Sequence, residues 1–218
     1  MRTVQIPDVS PRNDGEREPD LTSMYVIHRA MLTDLRRLTG LLGGDGPLTG
    51  HRERAARRYA ASILVEVHHH HANEDDVLWP IVERTAGRAV DLSPYTDDHE
   101  ALGPVLDQCR AALGGDRRSL ARALGELLDL LDEHIDEEES RLFPIISRFV
   151  PYDAYAWAER QVARRASFGQ LTFTAPWLLR HATADEAARL LAGAGAPLRL
   201  LVTLSRGRYT RHERAAFG

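Results

Sequence analysis

The sequence predicts an all-α fold, an antiparallel up-down four-helix bundle followed by a C-terminal helical extension. Long segments carry apolar residues every three to four positions, which is the period of an α-helix with one buried face. Glycine and proline residues cluster between these segments and mark the turns that separate the helices. Alternation of apolar and polar residues, the pattern of a half-buried strand, is confined to one short candidate at residues 198–204.

Composition limits the class of protein. Of the 218 residues, 28% are charged and 43% are hydrophobic, an ordinary balance for one globular domain with an appendage. The formal net charge of -4 argues against nucleic-acid binding. We expect neither a signal peptide nor a membrane span, because no apolar run reaches about 18 residues. Cys109, the single cysteine, occupies an apolar helical position, so we expect a buried thiol in a cytoplasmic protein.

The chain divides into three predicted parts. Residues 1–20 have little periodicity and form a loose N-terminal arm. Residues 21–150 form the bundle, and residues 151–218 form the helical extension. The first bundle helix begins near Asp20 and ends where a glycine-rich turn starts at Gly40.

The second and third bundle helices follow from their apolar stripes and end signals. The second helix runs from about Thr49 to Ala86, and Pro80 is expected to kink or interrupt it because proline lacks a backbone N–H. The third helix begins at Ser93, an N-cap residue followed by a first-turn proline, and ends before Gly114.

The fourth bundle helix is predicted from Arg117 to Phe149, and Pro144 occupies the place that Pro80 has in the second helix. In the extension, Thr183 and Glu186 have the spacing of a capping box, which marks the start of a helix. Three short helices are predicted in the extension, at residues 151–166, 183–191 and 197–211.

Two stretches of the chain repeat each other. Residues 70–80 read HHANEDDVLWP and residues 134–144 read HIDEEESRLFP. Each repeat has a histidine and a glutamate four residues apart, and each ends in Leu-aromatic-Pro. Because residues at i and i+4 stack on one face of an α-helix, the imidazole and the carboxylate of each repeat converge on one point.

Two further histidines lie on the apolar stripes of the other helices, one on the first and one on the third. A single histidine on an apolar face is usually a hydrogen-bonded core residue, but the repeated arrangement favours a metal site. Burying six such groups without a cation would cost several kcal/mol, a large part of the roughly 5–15 kcal/mol that stabilises a domain. The candidate metal ligands are His28, His70, Glu74, His99, His134 and Glu138.

The donor set limits the metal. Mixed imidazole and carboxylate donors suit iron, manganese or zinc, and the absence of thiolates argues against Fe–S and copper(I) sites. Four histidines and two glutamates are too many ligands for one tetrahedral zinc ion. Two ions about 3.5–4 Å apart use the set well, with the two carboxylates as bridges. The sequence therefore favours two iron ions of the Fe–O–Fe type, although zinc or manganese would also suit the donors.

These residues resemble the hemerythrin-like family, also described as HHE cation-binding domains. The resemblance covers residues from about 20 to 150, and the two repeats with their Leu-aromatic-Pro ends carry it together with the histidines of the first and third helices. It implies that His28, His70, His99 and His134 are terminal iron ligands. It also implies that the glutamates of the repeats bridge the two ions, and that the bundle binds a small ligand such as O2.

The resemblance also raises two questions about the ligand set. Oxygen carriers of the family have a second histidine four residues after the one on the third helix, and here that position is Gly103. His71 and Asp75 are candidates for the missing ligand. Glu139 competes with Glu138, because the carrier-type members place the last carboxylate one residue further on, but the internal repeat favours Glu138.

Three functions fit this pattern. The favoured one is a di-iron protein that binds or reacts with O2, peroxide or nitric oxide, because the glycine at position 103 would leave one ion with an open site. A sensor of iron or oxygen is the second, with residues 151–218 reporting to a partner. A cation-storage module without turnover is the third. The pattern decides neither the oligomeric state nor whether the protein is an oxidoreductase.

Overall fold

A computed structural model describes residues 4–218, and every regular element in that range is helical. The all-α fold predicted from the sequence is therefore confirmed. No helix of the described residues is both long and apolar enough to cross a membrane. The bundle segments are α1 (Thr22–Gly43), α2 (Gly50–Asn73), α3 (Trp79–Ala86), α4 (Ser93–Ala112), α5 (Arg117–Glu137) and α6 (Phe143–Phe149). The later helices are α7 (Tyr152–Arg165), α8 (Phe168–His181), α9 (Ala184–Gly193) and α10 (Ala196–Phe217).

Helix ends follow local sequence signals. The Thr49 side chain accepts a hydrogen bond from the backbone N–H of Arg52 at the start of α2, and the Asp116 side chain does the same for Ser119 at the start of α5. A short 3₁₀ turn, Gly87–Ala89, ends α3. The bundle segments form a closed ring, because α1 packs against α2 and α5, and α4 packs against the same two helices.

The two long helices that contain Pro80 and Pro144 are each interrupted by one turn of π-helix, in agreement with the kink or interruption predicted at Pro80. These turns are Glu74–Leu78, between α2 and α3, and Glu138–Leu142, between α5 and α6. The prolines of the repeats occupy the first turn of the helix that follows, where a missing N–H costs nothing. The π turn begins at the glutamate of each repeat, and π turns inside helices often mark functional sites.

The apolar core is split into two layers. One cluster contains buried residues such as Leu35, Ile63 and Leu127. The other contains residues at the opposite end of the same helical segments, such as Val77 and Ile146. The histidines and glutamates of the candidate site lie between the two clusters in sequence on α1, α2 and α4, and at the boundary of the first cluster on α5, so they form a polar layer inside the bundle.

The described part of the N-terminal arm, residues 4–20, contacts the bundle. Residues 1–3 of that arm lie outside the described residues. Arg12 donates its backbone N–H to the carbonyl of Phe149 at 2.8 Å and its side chain to the carbonyl of Ser147 at 3.0 Å. Ile6 packs against the second apolar cluster. The arm is therefore held along one end of the bundle.

The extension contains four helices, one more than predicted. The missed helix is α8, and the strand candidate at residues 198–204 lies within α10. The capping box at the start of α9 is formed, since the side chains of Thr183 and Glu186 each accept a hydrogen bond from the other residue's backbone N–H. The strand candidate fails because a short apolar run does not by itself distinguish strand from helix.

Cys109 is fully buried, as its apolar position suggested. Its thiol donates to the carbonyl of Ala123, and burial raises its pKa to about 11. The thiolate, which is the reactive form, is therefore scarce at neutral pH.

A buried carboxylate connects the extension to the bundle. Asp34 of α1 has no exposed surface and accepts a hydrogen bond from Arg37 at 2.7 Å. Its second oxygen accepts hydrogen bonds from Tyr59 of α2 at 2.7 Å, Trp177 of α8 at 2.9 Å and the His181 ring at 3.1 Å. Because three helices share one carboxylate, the network fixes α8 against the bundle.

Replacing this carboxylate should weaken the attachment of α8. Asp34→Ala is expected to lower the free energy of unfolding by about 3–5 kcal/mol, because it leaves the buried donors without a partner. Urea unfolding followed by circular dichroism measures this change. Asp45→Ala is the matched control, since Asp45 pairs with Arg118 at the surface, and its unfolding curve should not move. If the urea unfolding curves of Asp34→Ala and Asp45→Ala were the same, Asp34 would not hold α8 against the bundle.

The contribution of Asp34 should also depend on pH. Burial raises the pKa of its carboxyl group, but hydrogen bonds from His181, Tyr59 and Trp177 outweigh burial and hold the pKa below its ordinary value. The stabilisation is therefore complete above the ordinary value of about 3.9 and is lost as the pH falls through the lowered pKa. The difference in unfolding free energy between the wild type and Asp34→Asn should stay constant down to about pH 5 and shrink below it. A difference that shrinks already between neutral pH and about pH 6 would contradict this assignment.

Candidate metal centre

The structure brings the six sequence-predicted residues together and adds a seventh. His28 lies on α1, His70 on α2, His99 on α4 and His134 on α5, while Glu74 and Glu138 begin the two π turns. The additional residue is His71, next to His70. All seven side chains are buried or nearly so, with exposed fractions of 0% for His28 and 4% for the His99 side chain.

The donor atoms form two groups. The two-histidine cluster consists of His28, His70, Glu74 and Glu138, with one donor atom of each within 4.8 Å of the others. The three-histidine cluster consists of His71, His99 and His134, with the same limit on separation. Groups of this size and type can each hold a metal ion.

Each glutamate presents one oxygen to each cluster. Glu74 Oε1 lies 3.2 Å from His70 Nε2, and Glu74 Oε2 lies 3.7 Å from His99 Nε2. Glu138 Oε2 lies 3.4 Å from His28 Nε2, and Glu138 Oε1 lies 3.5 Å from His134 Nε2. The two carboxylates therefore join the clusters and have the placement that bridging ligands need.

The site fits metal ions because its buried acceptors have no other partner. All four carboxylate oxygens of Glu74 and Glu138 lack a hydrogen bond, and so does Nε2 of His71. Buried polar groups are otherwise almost always hydrogen-bonded, and a buried charge is paired or bound to metal. A cation in each cluster would satisfy these atoms together.

Partners on the far side of the rings hold the imidazoles in place. Glu139 contacts Nδ1 of His28 at 2.9 Å, Asp75 contacts Nδ1 of His99 at 2.7 Å, and Asp98 contacts Nδ1 of His134 at 3.2 Å. A carboxylate only accepts, so each Nδ1 carries the hydrogen and Nε2 is left as a bare lone pair.

The bare nitrogens approach one another closely. Nε2 of His99 lies 3.2 Å from Nε2 of His134, although both rings donate through Nδ1. Two lone pairs at that distance repel unless a cation lies between them. A carbonyl takes the place of a carboxylate for His71, whose Nδ1 lies 2.7 Å from the oxygen of Val67.

The Leu-aromatic-Pro ends of the repeats have a role in the site. Trp79 stacks on the His99 ring with 6.0 Å between ring centroids, and Phe143 stacks on the His28 ring with 5.5 Å. Each repeat thus contacts the histidine of another helix in two ways. Trp79 and Asp75 of the first repeat contact His99. Phe143 and Glu139 of the second repeat contact His28.

Without a cation the electrostatics of the site favour neutral groups. Burial, followed by the neighbouring carboxylates, raises the pKa of Glu74 and of Glu138 well above the ordinary range. Burial lowers the pKa of His28, His70 and His71, and it lowers that of His134 to about 4. Metal binding would reverse this balance for the glutamates, because a cation favours the carboxylate form.

The third imidazole of the three-histidine cluster comes from α2 and not from the position of Gly103. Gly103 is exposed, and a Cβ there would meet no atom within 4 Å, so its lack of a side chain leaves no gap in the site. His71 supplies the third imidazole instead. Asp75 and Glu139, which the sequence also offered as ligands, lie behind the rings of His99 and His28 rather than in either cluster.

The sequence offered His71 and Asp75 as candidates for the missing ligand, and the structure places His71 in the three-histidine cluster. Neighbouring residues of an α-helix point about 100° apart, so only one can face a given point. With two clusters, however, α2 presents His70 to one and His71 to the other. The sequence signal was available, since the second repeat has Ile135 where the first has His71.

The fold and the site define a class of protein, a helical bundle with a buried imidazole and carboxylate centre suited to metal ions. The chain belongs to the hemerythrin HHE cation-binding domain family, whose model matches residues 20–146. It is also similar to the zinc finger protein BRUTUS of Arabidopsis thaliana, with 22% identity over 183 residues. That similarity covers 80% of this chain but only 14% of BRUTUS. No solved structure matches the chain.

The assignment of His71 can be tested against an exposed histidine of the same helix. His71→Ile introduces the residue that the second repeat carries, and it is expected to reduce the metal content of the iron-loaded protein from two ions per chain toward one. His68→Ile is the matched control, because His68 is exposed and should leave the metal content unchanged. Metal analysis after gel filtration provides the measurement. An unchanged metal content in His71→Ile would remove His71 from the ligand set.

Proposed function

We propose that this protein holds two iron ions in the bundle and that the pair binds and reacts with O2, peroxide or nitric oxide. The observation that carries the proposal is the unequal donor set of two clusters that share two carboxylates. His71, His99 and His134 would hold one ion, and His28 and His70 the other, with Glu74 and Glu138 common to both. Iron would supply redox chemistry and a position for an external ligand.

The unequal donor set favours a site for an external ligand at the two-histidine cluster. Two imidazoles with carboxylate donors are typical of non-haem iron that leaves positions open for O2. The three-histidine cluster has one more nitrogen donor, so an ion there would have one fewer coordination position for an external ligand. The chain therefore distinguishes the two ions through a single position, His71 in one repeat against Ile135 in the other.

The protein groups around the site are suited to keep such a centre protected from water. The apolar clusters lie on either side of the polar layer, and the rings of Trp79 and Phe143 cover His99 and His28. Exclusion of water strengthens electrostatic interactions inside the site and limits side reactions of a bound ligand. This protection supports ligand chemistry over simple storage of an exchangeable cation.

Equalising the two clusters should test the proposal. Ile135 lies beside His28 in a groove between α1 and α5, so Ile135→His would offer a third imidazole to the two-histidine cluster. Iron content should stay at two per chain, while the reaction with O2 or nitric oxide should slow by at least about tenfold, equivalent to about 1.4 kcal/mol on the barrier. Stopped-flow absorption of anaerobically loaded protein mixed with each ligand measures the rate.

Ile135→Leu is the matched control, since it keeps the apolar volume and adds no donor, and its rate should equal that of the wild type. Circular dichroism and metal analysis show whether each variant folds and loads. If wild-type protein takes up two irons but shows no optical change with O2, peroxide or nitric oxide, the proposal is contradicted and the bundle holds its cations for storage or for structural stability. If Ile135→His reacts as fast as the wild type, the two-histidine cluster is not the ligand site.

A further inference from the structure

A cavity lies between the C-terminal extension and the bundle. Its volume is about 300 Å³, which falls at the lower end of the range for small-molecule pockets. Residues of α1 and α2 line one side, and residues of α7 and α8 line the other. Most of the lining is apolar, and it includes Met24, Ile27, Leu78, Ala158, Val162 and Leu171.

The cavity reaches the candidate metal centre on one side only. His70 and Glu74 both line it, and both belong to the two-histidine cluster. None of the three histidines of the other cluster lines this cavity. A molecule in the cavity would therefore lie beside the ion that has fewer nitrogen donors.

One buried acid in the cavity wall has no cationic partner. Glu66 of α2 is only 3% exposed, and its Oε1 accepts a hydrogen bond from the Thr174 hydroxyl at 2.9 Å. Within residues 4–218, no basic side chain forms an ion pair with it. Burial raises the pKa of Glu66 to about 7, although hydrogen bonds from Thr174 and Gln170 oppose the shift. Such a group gains most from a ligand that brings a positive charge.

Glu66 and His70 lie one helical turn apart. Four residues of α-helix correspond to about 6 Å along the axis, and residues at this spacing share a face. A ligand whose polar head contacts Glu66 would therefore lie about one helical turn from His70, in a cavity also lined by apolar residues of α7 and α8.

We infer that the cavity binds a small organic molecule with an aliphatic body and a protonated primary amine, and that the ammonium group pairs with Glu66. The apolar walls accept the body, and the carboxylate selects the charge. A carboxylate-bearing molecule of the same size would lose this ion pair and would lie beside the Glu66 carboxylate, and Arg165, which also lines the cavity, is already paired with Asp76. Binding of this molecule in the cavity requires no metal. The inference rests on the proposed function in one respect only, namely that the bound molecule would be a reactant of the metal centre.

Calorimetric titration of the full-length, iron-loaded protein with n-hexylamine, hexan-1-ol and hexanoate tests the inference. Hexylamine is expected to bind more tightly than hexan-1-ol or hexanoate. Glu66→Gln keeps the shape and the contact with Thr174 but removes the charge, so it should weaken hexylamine binding at least about tenfold and leave hexanol binding unchanged. Glu83→Gln, at an exposed position, is the matched control and should change neither.

A second variant fills the cavity without touching a polar group. Val162→Phe should weaken the binding of both hexylamine and hexanol while the protein keeps its helical circular dichroism. The inference is overturned if hexanoate binds as tightly as hexylamine, if Glu66→Gln binds hexylamine as the wild type does, or if no probe binds the folded wild type.

The same titrations on iron-free protein separate this inference from the proposed function. If iron fails to load or does not respond to O2 and nitric oxide while hexylamine still binds through Glu66, the proposed function fails and the cavity assignment stands. If iron loads and reacts normally but hexylamine does not bind, the cavity assignment fails and the proposed function stands.

Discussion

Two buried carboxylates without hydrogen bonds are the constraint on which this structure depends. Glu74 and Glu138 lie in the interior of the bundle, and none of their four oxygens accepts a hydrogen bond from residues 4–218. A buried charge of this kind is tolerated only when something neutralises it. The surrounding imidazoles turn bare nitrogens toward the same points, so the arrangement is complementary to cations and is costly without them. The two apolar layers on either side enclose this polar layer and stabilise the fold around it.

The two repeats give the centre an approximate symmetry that one position breaks. Each repeat contributes a histidine and a shared glutamate, and each supports the single histidine of another helix through an acid and an aromatic ring. Glu139 and Phe143 act in this way on His28. The symmetry fails where Ile135 corresponds to His71, and this difference makes the two clusters chemically distinct. A site built from duplicated parts thus has two clusters that differ through a single substitution.

The C-terminal extension is coupled to the bundle at two places with different roles. The network around Asp34 fixes α8 to α1 and α2 through fully buried hydrogen bonds. Arg165 of α7 pairs with Asp76 in the first π turn, close to the start of the short connection to α8. Between these attachments the extension covers apolar surface of α1 and α2 and leaves the cavity that reaches His70. The extension therefore supplies one wall of the cavity in addition to covering the bundle.

The sequence by itself determined the helical segments of the bundle and the residues of the two repeats, because periodicity and i,i+4 spacing are local properties of one helix. It also placed His28 and His99 on buried faces for the same reason. Only the tertiary structure decided that His71 of α2, and not a residue on the same helix as His99, completes the three-histidine cluster. That choice depends on where side chains from four helices meet. The π turns, the contact of Asp34 with α8 and the cavity beside Glu66 likewise depend on packing between segments far apart in the chain. Local sequence patterns do not contain that information, and so these features emerged only from the folded chain.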